Sequence, residues 1–129
     1  MRGLLDTSVF VGQETDRELG ALPDEAALSV ITIEELSLGV RMAVGRGEAA
    51  LAATRQTTLD RVVRAFDVLP VDRQVAQNSA LIRASGRLRG LRFGPLDALI
   101  AATAVTYGLT LFSQDAQFAE MDGVEVRLV

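Results

Sequence analysis

Four acidic residues stand where a predicted strand ends or a predicted helix begins: Asp6, Glu35, Asp97 and Asp115. Asp6 is the most informative of them, because it directly ends an apolar run and a buried carboxylate is costly unless something pairs with it. If the strands are parallel, all four carboxylates lie at one edge of the sheet and repel each other. A divalent cation relieves such repulsion, and Mg²⁺ or Mn²⁺ suits a site with oxygen ligands alone.

Each of these positions also has a simpler structural interpretation. Glu35 could complete a capping box with Thr32, and Asp97 could be a first-turn acid favoured by the helix dipole. Asp115 could cap a helix, and Ser8 could be either an N-cap or a hydrogen-bond partner that orients Asp6. The pattern favours a shared site because four acids occupy equivalent places in the predicted topology.

The composition excludes several kinds of catalysis. The chain has no histidine and no cysteine, and all 13 of its basic residues are arginines. The chain therefore cannot use a nucleophile activated by histidine or a cysteine thiolate. It also cannot form a Schiff base through lysine and has no Walker lysine. Carboxylates must do most of the work if the protein is an enzyme, and a hard cation is their natural partner.

The charges are unevenly distributed along the chain. The formal net charge is −4, yet the segment between Arg41 and Arg92 carries ten arginines and four acids. A basic face can bind phosphate groups while a separate acidic pocket holds a metal. An arginine-rich, solvated helix surface is an equally good interpretation from charge alone.

Length and composition indicate one domain. The chain has 129 residues, of which 49% are hydrophobic, enough for one packed core and too short for two domains. No apolar run is long enough to span a membrane, and no secretory signal is visible. We therefore expect a cytoplasmic protein without a membrane segment.

Strands and helices alternate in the hydrophobic pattern. Strands are predicted over residues 3–6, 27–31, 67–71, 109–113 and 124–129. Helices are predicted over residues 9–22, 32–44, 48–65, 73–88, 97–107 and 116–121. In the helix over 73–88, the residues expected to face inward are Val75, Leu81, Ile82 and Leu88. Alternation of this kind predicts a parallel sheet covered on both faces, with ligands at the carboxyl ends of its strands.

Four short segments together resemble the motifs of PIN domains, and of VapC-like toxins in particular. The segments are Asp6-Thr7-Ser8, residues 33–39, residues 97–102 and residues 112–118. The family pattern Glu-Leu-x-x-Gly is met by Glu35, Leu36 and Gly39, which favours Glu35 over its neighbour Glu34. Two departures are Ser113, where the family often has threonine, and Gln117, where many members have an aspartate.

The resemblance implies a PIN-like three-layer sandwich with a parallel five-stranded sheet in the order 3-2-1-4-5. It also implies a toxin that hydrolyses RNA phosphodiesters with a water activated by Mg²⁺ or Mn²⁺. The metal-site and catalytic roles then fall to Asp6, Glu35, Asp97 and Asp115, with Ser8 and Ser113 as supporting hydroxyls. A VapB-like antitoxin and a homodimer are the partners that the resemblance implies.

Candidates for contacts with the RNA backbone are Arg83, Arg87, Arg89 and Arg92, although these side chains could equally form a solvated helix face. A catalytically weak or inactive PIN-like module that binds metal or RNA is the alternative function. An adhesion-type metal motif is a poor fit because Phe10 stands where that motif needs a serine. A receiver domain or aspartyl-phosphate phosphatase normally needs a lysine, and the chain has none.

Overall fold

The structure is a computed structural model that describes residues 2–129. The strands are β1 (Arg2–Leu5), β2 (Glu25–Ser29), β3 (Asp67–Leu69), β4 (Thr110–Ser113) and β5 (Val126–Leu128). The helices are α1 (Thr7–Glu14), α2 (Val30–Gly45), α3 (Ala49–Ala65), α4 (Arg73–Leu88) and α5 (Pro95–Tyr107). A short 3₁₀ helix (Ala116–Glu120) lies between β4 and β5.

All five strands are parallel and are ordered β3-β2-β1-β4-β5, which confirms the predicted sheet. The central strand β1 pairs with β2 on one side and with β4 on the other. Because Leu5 is in register with Phe112, the next residues along the two strands, Asp6 and Ser113, emerge side by side. The switch point of the sheet therefore lies at Asp6, where open α/β sheets bind their ligands.

Two apolar clusters cover the two faces of the sheet. On one face, Leu4 and Leu111 belong to a cluster with Ile82 of α4 and Ile100 of α5. On the other face, Leu5, Leu28 and Phe112 belong to a cluster that includes residues of α1, α2 and α3. Successive side chains of a strand point to opposite faces, so each strand supplies both layers. The three-layer sandwich expected from the sequence is confirmed.

Helix α1 is shorter than predicted. The sequence suggests a helix over residues 9–22, whereas α1 ends at Glu14. Asp16 has a left-handed backbone with φ of 52°, which a continuous helix does not allow. The side chain of Arg17 then donates to Gln114 Oε1 at 3.0 Å, so the following segment is held by a tertiary contact that periodicity does not report.

Helix α2 begins earlier than predicted, and its cap is a different residue. The side chain of Ser29 accepts a hydrogen bond from the backbone N–H of Ile31, so Ser29 is the N-cap and Val30 is already helical. Thr32 therefore lies inside the helix, and the capping box proposed for Thr32 and Glu35 is wrong. The Glu35 side chain is left available for a different partner.

Helix α4 has the predicted bounds, with Asp72 as its N-cap. Two of its predicted inward residues face solvent instead, since Leu81 is 68% exposed and Leu88 is 89% exposed. Val75 and Ile82 are buried as expected. None of the helices within residues 2–129 is long and apolar enough to cross a membrane.

Candidate active site

Asp6 is fixed at the carboxyl end of β1 by a set of hydrogen bonds. Its side chain is the N-cap of α1, where Oδ2 accepts from the backbone N–H of Ser8 at 3.4 Å. The same oxygen accepts from Ser8 Oγ at 2.7 Å and from Ser113 Oγ at 2.8 Å. Asp6 is only 4% exposed, so these donors supply the compensation that a buried carboxylate requires.

The two serines join the ends of β1 and β4. Ser8 Oγ accepts from the backbone N–H of Gln114 at 3.0 Å, and Ser113 Oγ accepts from the backbone N–H of Asp115 at 2.9 Å. Each hydroxyl therefore donates to Asp6 and accepts from the chain that follows β4. Of the two interpretations open for Ser8, the structure shows the orienting partner, because Asp6 itself is the cap.

Glu35 lies in the second turn of α2 and faces α1. Thr7 Oγ1 donates to Glu35 Oε1 at 2.7 Å, and Thr7 Oγ1 is also 3.1 Å from Thr32 Oγ1. Burial raises the pKa of Glu35 above its ordinary value, the bond from Thr7 lowers it, and the nearby charges of Asp6, Asp97 and Glu34 raise it further.

Asp97 lies in the first turn of α5, two residues after Pro95, which begins the helix. Only two residues separate the end of α5 from the start of β4, so the first turn of α5 is at the carboxyl edge of the sheet, near Asp6. Burial raises the pKa of Asp97, and the charges of Asp6 and Asp115 add to that rise. The acids of three different elements therefore act electrostatically on one another.

Asp115 is exposed and is the N-cap of the 3₁₀ helix, where its Oδ1 accepts from the backbone N–H of Gln117 at 2.9 Å. The capping interpretation of Asp115 is therefore confirmed, although its charge still acts on Asp97. Because its side chain caps the 3₁₀ helix, Asp115 lies at the outer side of the group of four acids.

The four carboxylates share one edge of the sheet without converging on one point. Within residues 2–129, no three acidic side chains are close enough together to hold one metal ion as they are placed. The metal-site roles expected of these four acids stay a prediction. In this arrangement Thr7 Oγ1 donates to Glu35, and the backbone N–H of Gln117 donates to Asp115.

The four predicted RNA-binding arginines have different surroundings. Arg89 Nε is 3.5 Å from Asp122 Oδ2, and its Nη2 donates to the backbone oxygen of Glu120 at 2.7 Å. Arg83 is half-buried, and its buried Nε has no hydrogen-bond partner among residues 2–129. Arg87 and Arg92 are exposed. These side chains lie on α4 or on the loop that leads to α5.

Sequence reasoning missed the residues that hold the acids in place. Thr7 is the direct partner of Glu35, and Gln114 connects Ser8 to the segment after α1 through Arg17. Thr7 follows Asp6 in the chain, so its position in the motif was a usable signal. The role of Gln114 depends on a contact 97 residues away from Arg17, and no local pattern reports such a contact.

A parallel sheet in this order, with acids at the carboxyl edge around the switch point, defines a PIN-type fold. A family model for the PIN domain matches residues 3–124. The chain therefore belongs to the PIN-domain family, and its curated relatives place it among the VapC-like members.

One such relative is Ribonuclease VapC4 of Mycobacterium tuberculosis, which is 38% identical over 130 residues, covering 97% of this chain and 95% of the relative. A solved structure of VapBC-5, a toxin–antitoxin system of the same organism, superposes with a TM-score of 0.86 and 35% identity. That match covers 99% of this chain and 98% of the other. FitAcB from Neisseria gonorrhoeae matches with a TM-score of 0.73 and 27% identity, covering 98% and 96% of the two chains.

Proposed function

We propose that this protein is the toxin of a toxin–antitoxin pair and acts as a metal-dependent endoribonuclease. The observation that carries the proposal is the group of four acids at the switch point of a PIN-type sheet. The relatives named as VapC ribonucleases support the same activity over nearly the whole chain. The cytoplasmic location expected from the sequence stays a prediction.

The donor set suits Mg²⁺ or Mn²⁺ in its chemistry. All candidate ligands are carboxylate oxygens. Burial raises the pKa values of Glu35 and Asp97, the charges of neighbouring acids add to the rise, and a bound cation would relieve that repulsion. Asp6, Asp97 and Asp115 would hold the metal, with Glu35 as a further ligand. Since the side chains do not converge as they are placed, they would have to change their positions to share one ion.

The hydroxyl and carboxylate side chains of the site have different roles. The two serine hydroxyls keep Asp6 in one orientation, and Thr7 keeps Glu35 turned towards the acidic edge. When bound, the metal supplies a more acidic water and positive charge against the phosphate that reacts. The chain itself contributes carboxylates that accept protons and a rim on which the RNA strand is positioned.

Contacts with the RNA backbone are proposed for Arg87 and Arg92, which are exposed, and for Arg83 and Arg89. Arg89 would first have to leave Asp122 and Glu120, so its contribution is the most costly of the four. Arginine suits this role because its planar guanidinium binds phosphate oxygens in a bidentate manner.

We propose two protein partners. Solved relatives are described as VapBC and FitAcB systems, and we propose a VapB-like antitoxin as the inhibitor of this protein. We also propose a homodimer. The exposed Leu81 and Leu88 are seven residues apart on one face of α4, and a second copy of the chain would cover such a face.

The test is incubation of the purified protein with defined RNAs, with and without Mg²⁺ or Mn²⁺, beside Asp6→Asn and Asp97→Asn. We expect cleavage that needs the metal and falls by at least about 100-fold in both variants, as for removal of one electrostatic catalytic group. Asp60→Asn is the matched control, since Asp60 is exposed on α3 and bonds only within its own helix.

Cleavage that survives EDTA, or that is unchanged in Asp6→Asn, would exclude this mechanism. Metal and RNA binding without any cleavage would instead support the alternative function, a catalytically inactive PIN-like binding module.

A further inference from the structure

A cavity of about 240 Å³ opens beside the acidic edge, between α1 and the hairpin of α2 and α3. Its apolar surface comes from Val11, Leu36 and Leu51, which belong to three different helices. Its polar residues are Thr7, Glu14, Thr15, Glu35, Thr54 and Arg55, and Gly39 completes the lining. Pockets for drug-sized ligands measure about 300–1,000 Å³, so this one has room for a single flat ring system.

Glu14 is the unusual residue of this lining. Its Oε1 is buried and has no hydrogen-bond partner among the described residues. A buried acceptor without a donor is costly, and the other acids of this region, Asp6 and Glu35, each receive hydroxyl donors. Fold stability gives no reason for an unpaired carboxylate oxygen there, whereas a ligand that brings N–H donors would.

The cavity is continuous with the proposed cleavage site, because Thr7 and Glu35 belong to both. A second depression adjoins it, shares Glu14 and Thr54, and is bordered by Arg61. Arg55 donates to the backbone oxygen of Gly39, and Arg61 has a long bond of 3.4 Å to Gln13. Neither arginine is in a salt bridge with an acid of residues 2–129, so both keep charge for phosphate groups.

We propose that this cavity is a base-binding subsite of the nuclease and that it takes a guanine of the RNA next to the cleaved bond. The inference rests on the proposed function and adds a base preference to it. The faces of the base would pack against Val11, Leu36 and Leu51, while Arg55 and Arg61 contact the neighbouring phosphates.

Guanine is the base that suits a carboxylate. It presents two adjacent donors, N1–H and the N2 amino group, to the two oxygens of Glu14. Adenine and cytosine place an acceptor beside their amino group, and uracil places its single N–H between two carbonyls. With each of those three bases, one carboxylate oxygen would therefore face an acceptor atom of the base. That buried oxygen would then have no hydrogen-bond donor, which is unfavourable.

The first measurement is the sequence of the cut sites that the wild-type protein produces in an RNA pool of random sequence. We expect guanine to be enriched at one position adjacent to the cleaved bond. Two matched oligoribonucleotides with guanine or adenine at that position then give the ratio of their kcat/KM values. We expect a ratio of about tenfold or more, as for a bidentate contact with a base.

Glu14→Gln tests the residue, since it keeps the size of the side chain and replaces one acceptor oxygen with a donor. We expect the guanine-to-adenine ratio to fall to about unity or below, because the amide of the new Gln offers one donor and one acceptor, which match the N6 amino group of adenine and the ring nitrogen beside it. Glu18→Gln is the control, because Glu18 is an exposed acid outside the lining of the cavity. Inosine, which lacks the N2 amino group, should give an intermediate ratio in the wild type.

Binding of guanosine 3′-monophosphate in EDTA is the second readout, followed by NMR of the methyl groups of Val11, Leu36 and Leu51. We expect larger shifts than adenosine 3′-monophosphate causes, and a loss of that difference in Glu14→Gln. No cleavage by the wild type would overturn the proposed function, whereas cleavage without a guanine preference would overturn only the subsite. A Glu14→Gln variant that keeps its preference and loses only affinity for a protein partner would also overturn the subsite.

Discussion

Individual carboxylates at the acidic edge are compensated to different degrees. Asp6 receives hydrogen bonds from two hydroxyls, although it is the most buried of the four. Asp97 receives none that the structure shows within residues 2–129, and its pKa is raised by burial and by the charges of Asp6 and Asp115. The ionised side chain of Asp97 therefore lowers the stability of the folded state. Such an unfavourable carboxylate is typical of a group that serves binding or catalysis.

Asp97→Asn should stabilise the metal-free protein at neutral pH. A carboxyl whose pKa is raised in the folded state binds more protons folded than unfolded, so stability falls as pH rises through that interval. We expect the Tm of the variant to exceed that of the wild type by about 1–4 °C at pH 7, a range kept small because the group is partly solvated. Thermal unfolding in EDTA at several pH values measures the difference.

The difference in Tm between Asp97→Asn and the wild type should shrink towards zero near pH 3. That pH is below the ordinary pKa of an aspartic acid, about 3.9, so the side chain at position 97 is neutral in both proteins. A variant that is less stable than the wild type at pH 7 would contradict the cost assigned to Asp97.

At the scale of elements, helix starts bring the acids to one edge of the sheet. α2 begins directly after β2, and α5 begins at the same edge because it returns to the start of β4. The bounds of α4 and the end of α5 follow from local signals, namely Asp72 at the N-terminus of α4 and Gly108 after the C-terminus of α5, whereas α5 begins at Pro95, two residues before its predicted start. Local signals do not give the start of α2, because Ser29 competes with Thr32 as its N-cap. They do not give the end of α1 either, because Arg17 bonds to Gln114.

Gly86 is needed for the close approach of α4 to the segment before α5. A Cβ at this position would lie 2.6 Å from Cε2 of Phe93, whose ring is buried. We expect Gly86→Ala to lower the free energy of unfolding by about 1–3 kcal/mol, because overpacking outweighs the gain in helix propensity. Urea denaturation measures the change.

Gly45→Ala is the matched control, since Gly45 is also helical and a Cβ there would meet nothing within 4 Å. It should leave stability unchanged or raise it by up to about 1 kcal/mol. Equal effects of the two substitutions would show that propensity, and not the contact with Phe93, decides the outcome.

For the molecule as a whole, the acidic edge and the basic surface belong to different layers of the same sandwich. Arg55 and Arg61 lie on α3, on the face of the sheet that packs against Leu28 and Phe112, and Arg87 and Arg92 lie on or after α4, on the other side. An RNA strand that crosses the carboxyl edge can therefore meet arginines on both sides of the four acids. The net charge of −4 conceals this arrangement.

Metal binding should stabilise the whole fold through the acidic edge. A ligand that binds only the folded state at 100 times its Kd adds about 2.7 kcal/mol. We therefore expect Mg²⁺ or Mn²⁺ to raise the Tm of the wild type and to have little effect on Asp6→Asn, as measured by thermal unfolding. An equal rise in both proteins would place the cation elsewhere.

The sequence by itself determined the fold class, the strand order through the family resemblance, and the four acids at strand ends and helix starts. Hydrophobic periodicity and the local signals of helix ends carry that information because they act over a few residues. Only the tertiary structure decided which hydroxyl donates to which acid, how far the carboxylates converge, and that one oxygen of Glu14 is buried without a donor among residues 2–129. Those features depend on contacts between residues far apart in the chain, such as Ser8 with Gln114 and Thr7 with Glu35.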